Sequence, residues 1–208
     1  MPRVDIYNDD YSFAGTLPRE QAQKESRWVK VSHLWIINPK SASVLFQMRS
    51  NNKKFFPGTL DITAAGHYAT GKELNAGMKE MSNELGGVKI PYEDLIHLGV
   101  RHNIISTPEL TVKQFCHVFF LESDREISDY TLSPETAEGL VTISIEEGLN
   151  LYSNERSSIK TSFFDVKSKD EKIIPITKDD FLPRVDPYYY KVFILAKRFL
   201  AGEKHLVI

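Results

Sequence analysis

Gly66-His67-Tyr68-Ala69-Thr70-Gly71-Lys72-Glu73-Leu74-Asn75-Ala76-Gly77-Met78-Lys79-Glu80-Met81-Ser82-Asn83-Glu84-Leu85-Gly86-Gly87-Val88 is the stretch on which the fold turns. A loop bracketed by Gly66 and Gly71 feeds a run in which Leu74, Met78, Met81 and Leu85 recur at helical spacing, so they form one apolar stripe. Gly86-Gly87 reads as the stop. On a helix turning about 100° per residue, Glu73, Glu80 and Glu84 stand in one column to the side of that stripe. Three carboxylates beside a glycine loop suit a divalent-cation site, and they equally suit the solvated flank of an amphipathic helix.

Upstream, residues 4–7 read as a short strand, followed by a polar stretch containing Gly15 and Arg19. The runs 29–38 and 44–48, separated by a turn at Pro39-Lys40-Ser41, suggest an antiparallel hairpin. Residues 49–54 form a basic loop closed by Phe55-Phe56-Pro57-Gly58, and 60–65 read as a short strand leading into the glycine loop. Downstream, 91–95 look like a helical turn, while 97–105, 112–121 and 140–145 are rich in β-branched or aromatic residues and read as strands. A second helix could open at 145–151. Residues 153–172 are polar, with only Phe163-Phe164 to bury, and read as a partly ordered connector. The chain then ends in an amphipathic helix, for which Asp186 is the expected N-cap, Pro187 the first residue and Gly202 the stop. This order gives an α+β class with a mixed sheet; it lacks the regular alternation and the glycine fingerprint of a dinucleotide-binding fold.

Composition narrows the functional classes. The chain has 208 residues, 41% hydrophobic and 26% charged, as expected for one globular domain with an appendage. A formal net charge of −2 supplies no field to draw in nucleic acid or an anionic membrane, so an anionic ligand has to be gripped locally. The lone Cys116 excludes an internal disulfide and reads as a small core residue. There is no apolar signal region and no apolar run long enough for a bilayer, so the expected location is cytoplasmic.

The central stretch resembles a degenerate Nudix box. Gly66 matches the first glycine of that family's pattern, and Lys79-Glu80-Met81-Ser82-Asn83-Glu84-Leu85-Gly86 matches its Arg-Glu-apolar-x-Glu-Glu-x-Gly run. The flanks, residues 31–38, Gln47-Met48-Arg49-Ser50 and 56–67, resemble a branch of the superfamily that is similar in sequence to type I isopentenyl-diphosphate isomerase. The resemblance covers roughly residues 3 to 150. It implies a Nudix α/β/α sandwich over 1–152, with 153–208 as connector and C-terminal helix packed on or beside it. It also implies hydrolysis of a nucleoside-diphosphate-linked or related small diphosphate with Mg2+ or Mn2+.

In that reading Glu80 and Glu84 bind the metal, with Glu73, Asn83 and the backbone of Gly66 completing the shell. Glu80 and Lys79 take the catalytic places, and Arg49, Lys53, His67 and Gln114 face substrate. The chemistry is consistent: cleaving a diphosphate needs cations to neutralise its charge and acidify a water, and Glu80 and Glu84 lie one helical turn apart. The pattern also departs from the family's. Asn83 replaces a carboxylate, Lys79 replaces an arginine and loses its planar fork, and one residue is missing between Gly66 and Lys79. These departures support an alternative, a catalytically weak or silent Nudix fold that binds a ligand or partner. Isomerase activity is not expected, because Ala65 stands where that enzyme has its cysteine, Val29 where it has a metal histidine, and Gln114 near its later glutamate. His33, Trp28 and Trp35 read as core, and Tyr188, Tyr189 and Tyr190 as packing or a homodimer contact.

Overall fold

Strand β3 organises the molecule. In the computed structural model, which describes every residue except Met1, Ala69, Lys72, Glu73 and Leu110, the elements run in chain order as follows. β1 (Arg3–Tyr7), β2 (Phe13–Pro18), α1 (Arg19–Lys24), β3 (Trp28–Asn38) and β4 (Ser43–Arg49) come first. The short strands β5 (Leu60–Asp61) and β6 (Ala64–His67) lead into α2 (Leu74–Glu84). Then follow β7 (Leu95–Ser106), β8 (Thr111–Glu122), β9 (Ala137–Ser144) and α3 (Ile145–Tyr152), and finally β10 (Ile159–Asp165), β11 (Glu171–Ile176) and α4 (Tyr188–Leu200). One edge of β3 pairs in parallel with β8 from Trp28↔Lys113 to Ile37↔Glu122, while β7 pairs antiparallel with β8. Its other edge is shared in succession by β1, β6 and β4, all antiparallel. Beyond β4 the sheet continues through β9, β10 and β11. The sheet is mixed, as expected.

Alternation along β3 sets the layers. Val31, Trp35 and Ile37 enter one core with Phe46, Phe120 and, from α3 and α4, Leu151, Tyr188, Val192 and Phe193. Leu34 and Ile36 enter the opposite core with Met78, Met81 and Leu85 of α2. Helices therefore cover both faces, giving the α/β/α sandwich. Helix α2 ends as the Gly-Gly pair requires: the N–H groups of Gly86 and Gly87 donate to the carbonyls of Asn83 and Ser82, and both glycines have positive φ.

Three expectations need correction. Residues 153–172 are not a connector: β10 joins β9 edge to edge, β11 pairs with β10, and Ile159 and Phe163 reach the main core. The polar residues there lie on a sheet edge, where charge is what keeps strands from pairing further. The 60–65 segment is two strands, broken at Ile62-Thr63. Asp186 does not cap α4: no side-chain cap bond is made there, and its carboxylate instead pairs with Arg101 and Lys191. The early polar stretch also holds β2 and α1, which seal a small cluster of Val4, Ile6 and Ala22. Cys116 is fully buried and loss of water pushes its thiol up to about 12, so it is inert core.

Candidate active site

The site lies where β3 and β4 part. They pair only over Ile36–Asn38 against Ser43–Leu45. The Thr63 hydroxyl enters at the fork, accepting from the Ile36 N–H at 3.1 Å and donating to the Leu45 carbonyl. From that wedge β5 runs along β4 and β6 along β3. Because β6 uses one edge for β3, its other edge is left with free N–H groups at alternate residues.

Helix α2 satisfies them. Glu84 accepts the Ala65 N–H at 2.7 Å and Glu80 accepts the His67 N–H. The match is geometric: four residues of helix advance about 6 Å and two residues of strand about 6.6 Å. Close approach is also needed, and Gly66 provides it, since a Cβ there would lie 2.0 Å from the Gly77 carbonyl oxygen. Gly66 is thus a packing residue under α2, and it is absent from the lining of the adjacent cleft.

The two glutamates differ electrostatically. Burial raises Glu84, the nearby charges of Glu80 and Asp61 add to it, and the carboxyl is pushed up to about 7 despite the Ala65 N–H and Lys53. For Glu80 burial acts in the same direction, but His67 and Arg19 outweigh it and hold the group below its ordinary value. Arg19 stands 3.5 Å from Glu80 and also donates to His67 Nε2 at 3.0 Å. With Nε2 accepting, the His67 proton sits on Nδ1, 3.6 Å from Glu80 and without a hydrogen-bond partner.

Glu84 opens on a cleft of about 340 Å³. Arg19, Arg27, Arg49, Lys53, Lys113 and Arg184 line it, against the two acids Asp61 and Glu84. Arg49 holds the loop rim, donating to the carbonyls of Phe55 at 2.9 Å and Phe56 at 3.0 Å, and stands 3.7 Å from Asp61. Lys53 has no ion-pair partner among the described residues. His67 and Gln114 line the cleft as well.

The other expected site residues lie elsewhere. Lys79 and Asn83 are exposed and contribute nothing to the cleft lining, and Glu73 lies outside the described residues. Sequence reasoning missed Asp61 and Arg184. Asp61 is buried, hydrogen-bonded by Arg184 and by the Tyr189 hydroxyl, which brings the segment before α4 into the cleft wall. An acid in an otherwise apolar strand, Leu60-Asp61-Ile62, was the available signal.

Among the described residues no three His, Cys, Asp or Glu side chains cluster as a ready-made metal site. Two carboxylates one turn apart, one of them starved of water, still suit a hard cation that arrives with substrate phosphates, because magnesium usually takes few protein ligands.

No family model matches the chain. A protein from Clostridium acetobutylicum, named as an uncharacterized Nudix hydrolase, is 28% identical over 193 residues, covering 89% of this chain and 92% of its own length. This relative supports the Nudix reading of the sequence. Nudix hydrolase 3 of Arabidopsis thaliana is 27% identical over 143 residues, although the chain spans only 18% of that longer protein. The uncharacterized Nudix hydrolase YfcD of Escherichia coli K12 is 27% identical over 92 residues, half of its length. Among solved structures, a Deinococcus radiodurans protein shares the fold at a TM-score of 0.53 and 22% identity, covering 73% of this chain and 89% of that one.

Proposed function

We propose that this Nudix chain hydrolyses a nucleoside-diphosphate-linked or related small diphosphate with the help of Mg2+ or Mn2+. The observation that carries the reading is Glu84: a carboxylate short of water, one turn from Glu80, opening on a cleft whose charged lining residues are mostly cations. Glu84 and Glu80 would hold the cation. When bound, it neutralises diphosphate charge and lowers the pKa of water. Arg49 and Lys53 bind the phosphates, Lys53 with the freer charge. Arg19 and His67 keep Glu80 ionised and oriented. The enclosing walls from β5 and the 181–184 segment limit bulk water around the reacting bond.

A silent, ligand-binding Nudix fold is the second reading. It is favoured by the exposure of Asn83 and Lys79, which leaves two of the box positions without a role in the cleft. A panel assay separates the two readings. Phosphate release is followed from nucleotide sugars, dinucleoside polyphosphates, capped RNA and prenyl diphosphates, with and without Mg2+ or Mn2+. Cation-dependent turnover of any of them supports the hydrolase; cation binding by calorimetry with no turnover supports the binding module.

A further inference from the structure

Two side chains on the floor of the cleft have no part in that chemistry, and the structure fixes which polar atom each one offers. His33 on β3 is buried, and its Nδ1 lies 3.0 Å from the Tyr188 hydroxyl. The same hydroxyl accepts from Trp35 Nε1 at 2.9 Å, an indole that can only donate. Among the described residues His33 Nδ1 is the one acceptor within reach of the Tyr188 hydroxyl, so its single proton goes there. Burial, together with Arg184 and Arg101, keeps the ring neutral. A neutral ring that accepts at Nδ1 carries its proton on Nε2, which has no protein partner among the described residues while the ring lines the cleft.

Gln114 on β8 is set by a similar relay. The Asn103 Oδ1 accepts from Arg101 at 2.8 Å and Arg184 at 3.1 Å, so the other end of that amide is its donor. It donates to Gln114 Oε1 at 2.8 Å, leaving the Gln114 NH2 without a hydrogen-bond partner among the described residues, at the cleft. Both relays start in α4, the segment before it, or β7, and both deliver only N–H donors. Val29, Ile62, Val112 and Leu182 give the cleft an apolar part.

We propose that His33 and Gln114 form a subsite that reads the carbonyl-bearing edge of a nucleobase on the diphosphate substrate. The idea rests on the proposed function in seating the phosphates at Arg49 and Lys53. The floor favours a flat apolar body whose edge presents acceptors. A prenyl chain would leave both donors unpaired, and a sugar would bring hydroxyl protons of its own.

The test is equilibrium titration of the full chain with UMP, GMP, AMP, ribose 5-phosphate and methylenediphosphonate. UMP or GMP is expected to bind about tenfold tighter than AMP and ribose 5-phosphate, the scale of one or two satisfied hydrogen bonds. Gln114→Glu keeps the acceptor for Asn103 but turns the donor into an acceptor, and should shift preference toward the amino-bearing AMP. Gln114→Leu should flatten the preference without adding charge. Equal binding of all nucleotides and ribose 5-phosphate, or an order unchanged in both variants, overturns the subsite. If that happens while methylenediphosphonate still binds, only the subsite fails. If methylenediphosphonate also fails to bind, the phosphate site fails with it.

Discussion

Replacing Glu84 by Gln should make the protein more stable above pH 4.5, by an amount that grows up to about pH 7 and then levels off. In the folded chain this carboxyl sits at about 7 against an ordinary value of 4.5. At 1.36 kcal/mol for each tenfold change in proton affinity, the ionised form costs about 3 kcal/mol of folding free energy. The sign follows from which state loses its proton first. Below pH 4.5 both folded and unfolded chains hold the proton and nothing is lost. Between 4.5 and 7 the unfolded chain ionises first, so stability falls as pH rises; above 7 the full cost is present. Gln keeps an oxygen for the Ala65 N–H and never ionises. Urea denaturation of both proteins at pH 4.5, 6 and 8 reads the effect, and other titrating groups cancel in the difference. The expected gain for Glu84→Gln is near zero at pH 4.5 and up to about 3 kcal/mol at pH 8. A gain independent of pH, or a variant less stable than the parent at pH 8, refutes the reasoning.

Other outcomes follow from the packing. Gly66→Ala should cost about 3 kcal/mol in thermal or urea denaturation, because its Cβ would meet the Gly77 carbonyl and neither backbone segment can yield. Arg184→Met should cost about 3 kcal/mol, at the low end for breaking a buried pair, because Asp61 keeps Arg49 and the Tyr189 hydroxyl. Adding Asp61→Leu should recover at least about 1 kcal/mol relative to additivity in a double-mutant cycle. Truncation after Tyr152 should abolish cooperative unfolding, since it strips Phe163, Tyr188, Val192 and Phe193 from the core around Trp35 and Phe46; a soluble, cooperatively folding 1–152 fragment would contradict that packing.

The parts of this fold that were legible were those with local signatures. The α2 stripe of Met78, Met81 and Leu85, its Gly86-Gly87 stop and the β3–β4 hairpin are each written in contiguous residues. The β10–β11 hairpin was readable in principle: Ile159, Thr161 and Phe163 are buried at alternate positions. It was obscured because Lys160 and Ser162 between them are polar, and Glu171 and Lys172 opposite belong to the edge strand β11. The cap at Asp186 was misread for a different reason. A good local cap competes with tertiary partners, and here Arg101, from a strand remote in sequence, takes the carboxylate. The same distance hid half of the site. Glu80 and Glu84 stand out in a motif, whereas Asp61, Arg184 and Arg19 converge on them only through the fork of β3 and β4. Lys79 and Asn83 were assigned by their place in the motif, and their exposure is a property of helix rotation that the motif does not encode.

The most direct test is turnover of the best panel substrate by the parent chain, Glu84→Gln and Glu80→Gln, across Mn2+ concentrations. The account requires activity that depends on the cation and falls by at least about 100-fold in Glu84→Gln. Undiminished turnover in both variants, or hydrolysis that persists in a chelator, would contradict it.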